Sequence, residues 1–144
     1  MLTNYLSEDV MKLNVEANDW EDALKKAGQL LVDTKKIKTE YIDSMIEAVK
    51  KHGPYIAISP HIAFGHAAPG SFVKEDSISL VTLKTPIEFG HKQNDPIKLL
   101  FVIAAKNHQG HLSFLQELAS ILSDSEKLNK ILGAEQTEEV MKLL

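Results

Sequence analysis

Histidine is the residue type whose placement in this sequence could do chemistry. His61 and His66 lie in the stretch from Tyr55 to Ser71, among two prolines and two glycines. His108 and His111 lie close together further on, and His52 and His91 complete the six. Imidazole changes charge near neutral pH, and its neutral form carries a lone pair that can attack or ligate. His66 stands between Gly65 and Ala67, with Pro69 close behind. Small neighbours leave its ring open to a large partner. It reads as a nucleophile or a ligand, or as a loop histidine bonded to a backbone carbonyl. His111 reads as the opening of a helix, where unpaired N–H groups and partial positive charge suit anions. There it would hold a phosphoryl group or orient His66, or be an ordinary exposed end residue. His108 reads as a turn residue, His52 as a charge at a helix C-terminus, and His91 as a surface turn. Ser59, at a strand end, is a candidate hydrogen-bond partner for a site histidine.

Several other chemistries lack their residues. There is no cysteine, so disulfides, thiolate metal sites and a cysteine nucleophile are excluded. His61 and His66 offer two imidazoles, but zinc sites need three or four ligands and no HExxH is present, so no metal is expected. No GxGxxG, Walker A or GxSxG motif occurs, so no nucleotide cofactor is expected. All 16 basic residues are lysine. An anion site must therefore use lysine, histidine or backbone N–H groups, not a forked guanidinium. Net charge is −4 with no basic block, which argues against a nucleic-acid partner.

The elements that must position these residues can be read from periodicity. With 144 residues, 44% of them hydrophobic, a single domain with one core is expected over 1–144. Val10 to Val15 reads as a short strand. Asn18-Asp19-Trp20-Glu21 has capping-box spacing and starts a helix with Trp20, Ala23, Leu24, Ala27, Leu30 and Leu31 on one face. Thr39 caps a second helix with Tyr41, Ile42, Met45, Ile46 and Val49 inward, stopped by Gly53-Pro54. Tyr55 to Ile58 reads as a strand entering the histidine loop. Ser77 to Leu83 is a strand, and Thr85 to Asn94 a polar connection. Asn94-Asp95-Pro96 reads as a turn. Ile97 to Ala105 is apolar but for Lys98, so it reads as a strand covered on both faces. Lys106 to Gly110 is a turn, and a third helix begins about His111 with Leu112, Leu115, Leu118, Ala119 and Leu122 inward. Short helices follow from Ser123 and Thr137, the first ending near Gly133. Alternating helices and strands predict an α/β three-layer sandwich with a mixed, mostly parallel sheet flanked by helices. In such sheets ligands bind beyond the carboxyl ends of strands, where His66 and His111 could meet. Met1 to Asp9 shows no basic stretch followed by an apolar run, and Leu99 to Ala105 is far short of the ~20 residues that span a bilayer. A cytoplasmic protein is expected.

The motifs taken together resemble a known family. Gly53-Pro54-Tyr55-Ile56, Pro60, Ile62-Ala63, His66-Ala67 and Pro69 resemble the active-site segment of enzyme IIA domains of the sugar phosphotransferase system, mannitol/fructose type. Thr82-Leu83-Lys84, Pro86, Glu88-Phe89, Asn94-Asp95-Pro96-Ile97, Ala104-Ala105 and His111-Leu112 continue the match. The stretches "HGPY", "LVTLK" and "TEEV" look like the stand-alone ascorbate-specific branch. Gly65 stands where proline is usual, Ala68 where arginine is common, and His61 where glycine is usual. The resemblance implies that His66 accepts a phosphoryl group from phosphorylated HPr, that His111 assists, and that the group passes to a cysteine of a IIB partner serving a membrane IIC. It implies no metal or nucleotide. A regulatory nitrogen-type role, or service to mannitol, fructose or galactitol, are the alternatives to ascorbate. No oligomeric state follows from the residues, and a homodimer stays among the alternatives.

Overall fold

The computed structural model describes residues 4–144. Among them, five strands form one sheet: β1 (Met11–Val15), β2 (Ala57–Ser59), β3 (Ile62–Gly65), β4 (Ser77–Ile87) and β5 (Ile97–Ala104), in the order β1-β4-β5-β3-β2. The helices are α1 (Trp20–Asp33), α2 (Thr39–His52), α3 (His108–Leu122), α4 (Ser125–Gly133) and α5 (Thr137–Met141). The sheet is mixed. β1 pairs with β4 and β3 with β5 in parallel, while β2/β3 and β4/β5 are antiparallel.

Every side chain of β5 from Leu99 to Ala104 is buried. Successive strand residues point to opposite faces, so both faces are covered. α1 lies against β4 and β5, and α3 also touches β5. This is the helix-flanked α/β sandwich that the sequence predicts. Its core includes Phe64 and Phe101, packed edge to face with ring centroids 5.3 Å apart. Gly28 lets α1 and α2 approach closely, since a Cβ there would lie 2.8 Å from Ile42 Cγ1.

The element boundaries shift in ways that matter for the site. Tyr55 to Ile58 is not the strand that carries the histidine loop. Residues 57–65 are a hairpin instead, with Ala57 opposite Ala63 and Ser59 opposite Ile62. Proline and glycine on either side made Ile62–Gly65 read as loop, although it is a fully buried strand. β4 runs to Ile87, past Pro86, because its register with β5 is broken between Thr82 and Ile87 and no ladder N–H is demanded there.

The caps move by a residue. Asp19, not Asn18, caps α1 by accepting the Asp22 N–H, and Asp22 in turn accepts the Asn18 N–H. Thr39 and Thr137 are first helical residues, after Lys38 and Gln136. α2 ends as expected, at Gly53 with φ +84°, its N–H on the Val49 carbonyl. α3 starts at His108, capped by Asn107, and buries Phe114, Leu118 and Ile121; of the predicted stripe Leu118 is buried and Leu115 and Leu122 pack partly buried against the core, while Leu112 and Ala119 are exposed. Leu112 is 57% exposed. Tyr5 packs edge to face on Phe114 at 4.8 Å, a contact far along the chain that favours the burial of Phe114.

Candidate functional site

Parallel pairing of β3 and β5 decides where the histidines go. Both strands run the same way, with Gly65 beside Val102, so both release the chain at one edge of the sheet. His66 follows β3 at that edge. β5 leads through Ala105 to Asn107 into α3, whose first turn carries His108 and His111. The His66 and His111 rings meet there with centroids 4.9 Å apart.

His66 is half-buried, and its Nδ1 lies 2.8 Å from the Phe64 carbonyl oxygen. A carbonyl only accepts, so in the neutral ring Nδ1 carries the proton and Nε2 keeps the lone pair. Tyr55 packs edge-on to the ring at 5.2 Å and donates its hydroxyl to the His66 carbonyl at 2.9 Å. Behind the loop, the Tyr41 hydroxyl accepts the Ala67 N–H at 3.0 Å and donates to the Ile103 carbonyl at 2.7 Å. This phenol ties the histidine segment to the end of β5. Burial pushes its pKa up to about 12. Further along, an isolated bridge between Ile37 and Val73 and the bond from Lys38 N–H to the Phe72 carbonyl hold the loop against the α1–α2 connection.

His111 Nε2 is buried without a hydrogen-bond partner. Burial lowers the pKa of this imidazole, and the neighbouring His66 and His108 lower it further. Protonation would place a charge in a poorly solvated spot beside two other imidazoles. In the unfolded chain the ring regains its ordinary value. Between the two values the unfolded state binds more protons, so stability falls as pH drops through this window. A histidine NMR titration of the unmodified protein should find His111 below free histidine, and His111→Asn should weaken the acid destabilisation.

An open pocket of about 410 Å³ lies over the pair. Its wall is Ala48 and His52 of α2, Tyr55, the run from His66 to Pro69, and His108 and His111. No carboxylate or lysine lines it. Sequence reasoning paired His66 with His111 but left out His108, Tyr55 and Tyr41. With the helix start placed at Asn107, His108 and His111 share a face at i, i+3, which was the available signal. His52 does end α2, and it also lines the pocket, edge-on to Tyr55 at 6.4 Å.

The Gly110 N–H, a candidate anion donor by its helix-end position, is taken by Asn107 Oδ1 at 2.8 Å. Ser59 pairs with Ile62 at the other end of the hairpin, away from His66. His61 is there too. Its backbone is left-handed at φ +70°, and its Nδ1 meets the Pro96 carbonyl at 2.8 Å. Its N–H bonds to the Asn94 carbonyl, and its own carbonyl accepts from Lys98 and Leu99. It is a clamp between the hairpin and β5. His61→Gly should change stability by under about 1 kcal/mol, because relief of the left-handed backbone offsets the lost ring bond. Chemical denaturation checks this.

Asp95 organises the neighbouring turn by accepting N–H bonds from Phe89, Gly90 and His91. Among the described residues no cluster of three or more His, Cys, Asp or Glu could hold a metal ion. Nor is any helix among them long and apolar enough to cross a membrane.

Comparison with known proteins agrees with this architecture. The chain is 33% identical over 135 residues to the ascorbate-specific EIIA component of Shigella boydii, covering 93% of this chain and 88% of that protein. The solution structure of the mannitol-specific cryptic phosphotransferase enzyme IIA from Escherichia coli superposes with a TM-score of 0.88 at 27% identity, over 99% of this chain and 96% of that one. The fold is also that of the Escherichia coli mannitol IIA solved in complex with phosphorylated IIB, at a TM-score of 0.86 and 23% identity, over 96% and 95% of the two chains. The family model for the EIIA 2 component of the phosphoenolpyruvate-dependent sugar phosphotransferase system matches residues 4–144, and the chain belongs to that family.

Proposed function

We propose that His66 is the phosphoacceptor: it takes a phosphoryl group from phosphorylated HPr on Nε2 and passes it to a cysteine of a cognate IIB. The observation that carries this is the bond from His66 Nδ1 to the Phe64 carbonyl, next to His111 in an open pocket. It fixes the tautomer with a nucleophilic Nε2. The ring attacks the phosphorus in line as the donor N–P bond breaks, and the donor nitrogen keeps that bond's electron pair. Such transition states are loose, so catalysis rests on positioning and on stabilising oxygen charge. Because the Phe64 carbonyl holds the Nδ1 proton, the product is a phosphoimidazolium. That is a better leaving group than a neutral phosphoimidazole, which suits a carrier that must give the group away.

His111 is the nearest candidate for meeting the phosphoryl oxygens. Its Nε2 has no protein partner and, when it carries a proton, is a donor for a phosphoryl oxygen. A dianion placed beside it raises its pKa, the reverse of what burial does in the free protein.

The identity to ascorbate-specific relatives supports a transporter for ascorbate as the downstream consumer. The test is to incubate the protein with phosphoenolpyruvate, enzyme I and HPr and to measure intact mass. A gain of one phosphoryl group per chain, transferable to an ascorbate-type IIB, is expected. No gain with an HPr that phosphorylates another IIA would overturn the reading.

A further inference from the structure

Two histidines of the pocket have no part in the reading above. His52 ends α2 and His108 begins α3, and both line the pocket that holds the His66–His111 pair. A phosphoryl group on His66 brings about two negative charges into this space at neutral pH. It needs counter-charge, and the chain has no arginine to supply a guanidinium. No lysine lines the pocket either. The ionisable groups there are His52, Tyr55, His66, His108 and His111, and burial raises the pKa of Tyr55, so the phenol stays neutral. The cations available within the pocket are therefore imidazoliums. The charged groups nearest the start of α3 do not reach in. Asp76 accepts the Lys106 N–H and sits beside Gly110, and both Asp76 and Lys106 line hollows on another side.

The geometry points to His52 and His108 as titratable counter-charges for the phosphoryl group, so that phosphorylation of His66 is coupled to proton uptake from solvent by these two rings. This rests on His66 being the phosphoacceptor. The atoms balance simply. The phosphoryl group moves from donor nitrogen to His66 Nε2, the donor nitrogen keeps the electron pair, and water-borne protons add to the free ring nitrogens of His52 and His108. A carrier built this way holds its phosphoryl group more firmly in mild acid than in mild alkali. A guanidinium in place of these rings would add no such dependence, because its charge is permanent.

The experiment uses the full chain, with histidine ring NMR before and after phosphorylation by HPr. The pKa values of His52 and His108 should each rise by about one unit on phosphorylation, a tenfold change in protonation ratio. The phosphorylated fraction at equilibrium with HPr should fall between about pH 6 and about pH 8 in the native chain, relative to the double variant His52→Gln/His108→Gln. His108→Lys, which carries a fixed charge, should restore the phosphorylated fraction at the upper end. A purely structural role for these rings would show none of these shifts. If His66 is labelled and both pKa values stay where they were, the coupling is overturned while the phosphoacceptor reading stands. If His66 takes no label, the phosphoacceptor reading fails and the coupling fails with it.

Discussion

His66→Ala should take up no phosphoryl group from HPr, with a loss of at least about a thousandfold in rate, while its thermal midpoint stays within a few degrees of the parent. The ring is half-buried at the edge of the sheet, and its Nδ1 bonds to the Phe64 carbonyl two residues back. Removing it leaves that carbonyl beside the open pocket, where water can bond to it. The chemistry is affected far more, because no other pocket residue offers a lone pair in the same place. His111→Ala should behave differently. The nucleophile remains, but the group best placed to meet the oxygens is gone, so uptake should slow by about a hundredfold and still reach one group per chain. Rapid-quench mass measurement of both variants separates the roles. Label that persists undiminished in His66→Ala would move the nucleophile elsewhere.

Tyr41→Phe should cost about 2–3 kcal/mol and lower the thermal midpoint by about 5–10 °C. The side chain is 2% exposed, and its hydroxyl serves two buried backbone groups, the Ala67 N–H and the Ile103 carbonyl. Phenylalanine fills the same space but leaves both groups without a partner, and an unpaired buried polar group costs far more than a hydrogen bond gains. The pH dependence has a definite sign. The folded phenol ionises only at about 12, while the unfolded one ionises near 10.0. The folded state therefore keeps more protons, and the stability that Tyr41 contributes is present below the unfolded value and lost as pH rises through the folded one. Tyr41→Phe should lose less stability than the parent over that alkaline range. Because Ala67 directly follows His66, phosphoryl uptake should also slow. Tyr55→Phe is the control: that hydroxyl bonds to the His66 carbonyl but the residue is 39% exposed, so water replaces the bond and less than about 1 kcal/mol is expected. Equal losses in the two variants would refute the anchoring role of Tyr41.

Local physics was legible in the residues alone. The apolar stripes of α1 and α2 follow helical spacing. Gly53-Pro54 stops α2, and the unbroken apolar run of β5 marks a strand buried on both faces. The pair His66 and His111 was also legible, through residue type, small neighbours and a family resemblance. The hairpin was hidden, because Pro60 and Gly65 look like loop punctuation and Ile62–Gly65 is too short to show a period. That the inward face of α3 is centred on Phe114 rather than Leu112 was hidden for another reason. Apolar residues lie on adjacent faces of this helix, and Tyr5, more than a hundred residues away, packs on Phe114. The site's geometry was the largest gap. Periodicity describes each element separately, whereas the meeting of His66 with His111 depends on β3 running parallel to β5, and the tautomer of His66 depends on a carbonyl two residues back. The sequence by itself determined which residues carry lone pairs and which faces avoid water. Only the tertiary structure decided that four imidazoles share one pocket with no lysine among them, because strand direction and helix start are settled by pairing and packing across the whole sheet.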